Sequence, residues 1–172
     1  VLKPDDLRET AGRIERELGP IDLALLGAGM YAPFDIRAID VDGFRRSIAL
    51  NVDGVVNAVA AVLPPMLARK DGHIAIMGSL FGYAGWPGNG SYGASKAAVI
   101  NLAESLKLEL EGTGVAVTIT CMCGCTCVPR WRTRICPALT CSPPNTLTPR
   151  RLGCESRPLR ELPPAFLCAM AA

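Results

Sequence analysis

Residues 79–96 read SLFGYAGWPGNGSYGASK, from Ser79 to Lys96, and the rest of the chain is best read outward from them. The apolar run His73-Ile74-Ala75-Ile76-Met77 just before them stops at Gly78-Ser79, as a buried strand does on reaching the edge of a sheet. A loop rich in Gly and Pro follows, from Gly82 to Gly90. A helical pattern then begins, with Tyr92 and Lys96 four residues apart. Four residues is about one helical turn, so phenol and ammonium project from the same face. A serine at a strand end therefore faces a tyrosine–lysine pair at a helix start.

That grouping has chemistry in it. A phenol alone is a poor acid or base at neutral pH, and a cation held beside it favours the phenolate. The serine hydroxyl can hydrogen-bond a carbonyl or hydroxyl while the phenol gives or takes its proton. This is the proton half of a carbonyl–alcohol redox reaction. The hydride half needs a cofactor, since no side chain carries hydride.

Ser79, Tyr92 thirteen residues later, and Lys96 within Tyr92-Gly93-Ala94-Ser95-Lys96-Ala97-Ala98 together resemble the active site of the short-chain dehydrogenase/reductase family. YxxxK alone occurs by chance in many helices. The paired serine, the small residues and the Gly-rich approach make the match specific. The resemblance implies an α/β fold, a Rossmann-like three-layer α/β/α arrangement on a parallel sheet. It implies NAD or NADP as cofactor and a small-molecule carbonyl or secondary alcohol as substrate. Tyr92 would be the acid/base, Lys96 its charged partner and ribose ligand, and Ser79 the hydroxyl that orients substrate. Asn51, 28 residues before Ser79, would hold a water beside the lysine and complete the catalytic set. Taken alone, an Asn inside a helix reads as a solvated or locally bonded side chain.

Upstream, Pro4-Asp5-Asp6 looks like a helix start, with Leu7, Ala11, Ile14 and Leu18 at helical spacing before Gly19-Pro20. Ile21 to Leu26 is a short strand-like run that ends in Gly27-Ala28-Gly29. The family carries Asn-Asn-Ala-Gly at such a place, beside the adenine side of the cofactor. Here Ala28 and Gly29 are kept as candidate cofactor contacts, while Leu26 and Gly27 replace the two asparagines. Residues 42–67 read as a long helix with an apolar face of Phe44, Ile48, Val52, Val55, Val59 and Val62, which Pro64-Pro65 should end or bend. His73, the only histidine, reads as a strand-edge residue and leaves no room for a Ser–His–Asp hydrolase. Ser91 is a candidate cap for the helix 91–111, whose stripe is Ala98, Leu102, Leu106 and Leu110. Val115 to Thr120 reads as a strand. By resemblance, the helices 42–67 and 91–111 would also form a homo-oligomer interface.

Composition divides the chain near position 121. Residues 1–120 hold 11 Lys+Arg against 14 Asp+Glu; residues 121–172 hold 7 Arg, no Lys and 2 Glu. All eight cysteines and eight of the fourteen prolines lie in that second part. The resemblance covers 1–121 as a partial domain, and 122–172 reads as a Cys/Pro/Arg-rich tail, expected to be poorly ordered. Three readings of the tail stay open. Cys at alternate positions, with no His following, does not have zinc-ligand spacing, so no metal site is expected. Scattered arginines without lysine do not make a nucleic-acid arm. Translation out of an ancestral frame fits the abrupt onset best.

No G-x-x-x-G-x-G precedes Pro4, so the turn that holds the pyrophosphate is expected to be missing here, with the first Rossmann half. No secretory signal and no run of about 20 apolar residues is seen, which argues for a cytoplasmic protein without membrane or nucleic-acid partners. The expected activity is hydride transfer between nicotinamide and a carbonyl or alcohol. The alternative is an inactive fragment of the same family.

Overall fold

The computed structural model describes residues 1–120, together with the backbone of two further strands at 126–127 and 166–169. The first helix, α1 (Pro4–Leu18), has Pro at its first position and Asp5 and Asp6 in its first turn, where the helix dipole favours them. Its apolar face is Leu7, Ala11 and Ile14; Leu18, assigned to that face from spacing, points to solvent. Strand β1 (Leu23–Leu26) is followed by a loop to Asp40, whose side chain accepts from Gly43 N at 2.8 Å and caps α2 (Val41–Ile48). A π-helical turn at Ala49–Asp53 joins α2 to α3 (Gly54–Arg69) without a break.

Of the two outcomes the sequence left open at Pro64-Pro65, an end or a bend, the helix does not end there; α3 continues two residues past the expected Leu67 to Arg69, with Lys70 in the left-handed region at φ 58° closing it. What carries the helix past the prolines is its last turn. Met66 is fully buried, and Arg69 reaches back to α1 and to the start of β1, pairing with Glu15 at 3.0 Å and donating to the Ile21 carbonyl. The run Val41–Arg69 is long and apolar enough to cross a membrane by length and composition, yet Val55, Ala58, Val59, Val62 and Met66 face the core.

Strand β2 (Gly72–Met77), a 3-10 turn at Leu80–Gly82, α4 (Gly90–Glu109) and β3 (Val115–Thr120) complete the well-packed part. β4 (Thr126–Cys127) and β5 (Phe166–Ala169) are the added strands. The sheet order is β4-β3-β2-β1-β5, with β4 antiparallel and the other pairings parallel. Within β1, β2 and β3, Leu26 lies opposite Ile76, and Ile76 opposite Ile119.

Side chains alternate across the strands. Ala24, Leu26, Ile74, Ile76, Val115, Val117 and Ile119 share one buried cluster with α3 and α4, and α1 packs along α3. On α4 the buried apolar residues are Val99, Ile100 and Ala103; Ala98, expected in the stripe, is exposed. The fold is α/β with a mainly parallel sheet, the incomplete Rossmann-like arrangement expected from the sequence. Apart from the two short strands, the tail 122–172 lies outside the described residues, so its expected lack of order is not addressed.

Candidate active site

Parallel strands β1 and β2 present their carboxyl ends side by side, at Gly27-Ala28-Gly29 and Gly78-Ser79. In open α/β sheets this end of the strands is where ligands bind. Helix α4 begins there, and its first two turns carry Tyr92 and Lys96.

Lys96 is 3% exposed, although lysine is seldom buried. Its Nζ donates to the Met77 carbonyl at 2.8 Å, two residues before Ser79, and lies 5.8 Å from the centroid of the Tyr92 ring. Ser79 is half-buried, with extended backbone. It caps the 3-10 turn by accepting from Phe81 N at 3.3 Å. That turn rests directly on α4. A Cβ at Gly82 would lie 2.6 Å from Ile100 Cδ1 and 2.8 Å from the Lys96 carbonyl carbon. Phe81, two residues past Ser79, meets the Tyr92 ring edge to face at 6.2 Å. Three of the four residues singled out from sequence, Ser79, Tyr92 and Lys96, are thus brought together, with Phe81 and Met77 as intermediaries.

Asn51 is fully buried in the π-helical turn. Its Oδ1 accepts from Met30 N at 2.7 Å, and its Nδ2 donates to Met30 O at 2.9 Å and to Ser95 Oγ at 2.8 Å, with Ser47 Oγ at 3.4 Å. Both ends of the amide are therefore bonded to protein. The side chain ties the loop after β1 to α4. Gly29 completes the contact: a Cβ there would sit 3.3 Å from Asn51 Oδ1 and 3.7 Å from Lys96 Nζ, so glycine keeps the space beside the ammonium open.

Sequence reasoning missed several members. Ser95 is fully buried, accepts from Asn51 and donates to the Tyr92 carbonyl at 2.7 Å, so it joins two of the candidate residues. Its only signal was its place between the tyrosine and the lysine. Ser91, read as a helix cap, is not one: Asn89 occupies the cap position, and Ser91 Oγ donates to the Ala32 carbonyl at 2.9 Å. Tyr31 also escaped notice; its ring meets Tyr92 edge to face at 5.8 Å, and its hydroxyl donates to Gly88 O at 3.2 Å. His73 lies away from the group, in the internal strand β2 rather than at an edge, with Nε2 2.9 Å from Thr118 Oγ1. Burial lowers its pKa below the usual 6.5.

Comparison with known proteins bears on the whole arrangement. Residues 1–134 match the sequence model of the family described as short chain dehydrogenase, reaching past the break seen at 121. An uncharacterized oxidoreductase of Listeria monocytogenes is 37% identical over 109 residues, 63% of this chain and 44% of its own length. Among solved structures, the serine dehydrogenase of Escherichia coli superposes with a TM-score of 0.65 at 31% identity, over 69% of this chain and 55% of that one. The closed form of a serine dehydrogenase complexed with NADP+ gives 0.66 at 30% identity, over 70% of this chain and 49% of that one. The chain thus spans less than half the length of the curated relative and about half that of the solved structures.

Proposed function

This chain belongs to the short-chain dehydrogenase family, and we propose that it carries the proton-transfer half of an oxidoreductase acting on a small carbonyl compound or secondary alcohol. The observation that carries the proposal is the buried Lys96, bonded to Met77 O beside Ser79 and held next to the Tyr92 ring.

In the reducing direction, the Tyr92 hydroxyl gives its proton to the substrate oxygen. The Lys96 ammonium stabilises the negative charge that remains on the tyrosine oxygen. Ser79 Oγ–H donates to the same substrate oxygen and fixes its orientation. The water assigned to Asn51 falls to the backbone of the π-helical turn, because the side-chain amide is already bonded to Met30, Ser47 and Ser95. Gly54 N–H donates to Ala49 O there, five residues back, the wider register of a π turn.

The residues present fit a nicotinamide dinucleotide, NAD or NADP. Gly29 leaves room beside Lys96 Nζ that any Cβ would narrow, and Ala28 and Gly29 line the end of β1. Ala28, Gly29, Asn51, Tyr92 and Lys96 would hold the cofactor, which supplies or accepts the hydride. Helices α2–α3 and α4 are the elements through which a homo-oligomer would form.

The test is titration of the purified chain with NADH and NADPH by fluorescence, beside Lys96→Ala and Tyr92→Phe. Saturable binding weakened by Lys96→Ala, with ketone-dependent oxidation of the reduced cofactor lost in Tyr92→Phe, is the expected result. Binding indifferent to Lys96 in a folded sample would sink the assignment.

A further inference from the structure

We propose that the rings of Tyr31, Phe81 and Trp86 form the wall against which substrate docks, and that the substrate is a neutral carbonyl compound or alcohol with a flat apolar body, an aryl ketone being the simplest case. This rests on the roles given above to Ser79 and Tyr92.

Three observations carry it. The first is an unbroken chain of rings through the acid/base: Tyr31 to Tyr92 at 5.8 Å, Tyr92 to Phe81 at 6.2 Å and Phe81 to Trp86 at 5.8 Å, all edge to face. Tyr31, Phe81 and Trp86 are 54%, 37% and 55% exposed. Single exposed apolar residues are ordinary, whereas contiguous ones at a site of chemistry mark a binding surface.

The second is that the wall is built rather than incidental. Gly88 O accepts from the Tyr31 hydroxyl at 3.2 Å and from Phe34 N at 3.1 Å, which ties the loop after β1 to the loop before α4. Gly90 lies against the Phe34 ring so closely that a Cβ would come within 2.8 Å of it. Rings left in solvent are thus fixed by two loops clamped together, a preorganised platform.

The third is charge. No Asp, Glu, Lys or Arg occurs between Asp22 and Asp35, or between Asp71 and Lys96, so both loops are uncharged along their whole length. The ammonium of Lys96 is buried and turned to Met77 O. A carboxylate or phosphate on the substrate body would lose its hydration against these rings with no ion pair from either loop in return. A flat neutral body meets ring edges and faces that reward it.

The experiment is equilibrium dialysis of the full chain with three probes: 2-acetylnaphthalene, its 6-carboxylate analogue and acetone. Circular dichroism confirms that each variant is folded. Saturable binding of 2-acetylnaphthalene is expected, about ten-fold or more tighter than the carboxylate, and weakened about ten-fold by Trp86→Ala and by Tyr31→Leu. Equal binding of the charged analogue, or wild-type binding in both Trp86→Ala and Tyr31→Leu, overturns the proposal. The two readings fail separately. Preferential binding of the aryl ketone with no cofactor oxidation leaves the wall standing and removes the redox role. Turnover of acetone with no preference for a flat body removes the wall and keeps the redox role.

Discussion

Ser95 shows how much of the site depends on one small side chain. It is fully buried between Asn51 and the Tyr92 carbonyl, and its hydroxyl serves both. Removing it leaves a buried donor and a buried acceptor each short of a partner, at a cost of about 1–3 kcal/mol. Ser95→Ala is therefore expected to lower the free energy of unfolding by that much, read from urea denaturation, and Ser95→Thr to recover part of it if the methyl is accommodated. Gly82 makes the opposite case, where adding one atom does harm. An alanine Cβ would press on Ile100 and on the α4 backbone at Lys96 and Ala97, so the 3-10 turn must lift, carrying Phe81 and Ser79 away from Tyr92. Gly82→Ala should cost about 1–3 kcal/mol by overpacking, and should lower turnover more than cofactor affinity. Denaturant unfolding and the kcat-against-KM split check the two parts. Ser79, Tyr92 and Lys96 were legible because their chemistry fixes their spacing. Ser95 and Tyr31 were not, because a hydrogen bond to Asn51 across 44 positions and a ring contact across the loops leave no local pattern.

Elements were legible where one local rule governed them. Pro4 with two aspartates started α1, and the alternation of Val115–Thr120 gave β3. Where a local rule competes with tertiary contact, spacing alone leaves the outcome open, as at Pro64-Pro65, where buried Met66 and the Arg69–Glu15 pair outweigh two lost backbone bonds. That competition can be measured. Pro64→Ala restores an N–H to a helix already formed, so it should stabilise, by at most about 3 kcal/mol, less whatever the proline saves by restricting the unfolded chain. A lower melting temperature in Pro64→Ala would mean that the second effect dominates. The β2–β3 pair carries a different prediction. The folded His73 imidazole resists protonation, so the unfolded chain takes up the proton first as pH falls below about 6.5. Stability from this source is complete above that value and is lost progressively below it. Urea midpoints followed from about pH 8 to about pH 5 should therefore fall. His73→Gln should flatten the part of the fall that begins near pH 6.5, leaving the carboxylate-driven part at lower pH.

At the scale of the whole molecule, sequence resolved the α/β class and the strand-helix alternation, because period and glycine placement are local properties. It did not resolve which strands stand at the sheet's edges, because pairing between distant segments is not written in either one. Thr126–Cys127 pairs with β3 and Phe166–Ala169 with β1, both within the part of the chain read from composition as a Cys/Pro/Arg-rich tail. β1 would otherwise present an unpaired edge, and a parallel edge of apolar residues is a template for another chain. The parallel pairing of Leu23–Leu26 with Phe166–Ala169 covers it. The strand is short, so its hold on the edge rests on its being part of the same chain, at high effective concentration. Ending the chain before Phe166 should leave the helices and β1–β3 in place while uncovering the edge. Light scattering across a concentration series is then expected to show self-association beyond that of the full chain, with little change in helical circular dichroism. A truncated chain that associates no further than the full chain at any concentration would mean that β5 is dispensable to the edge it covers.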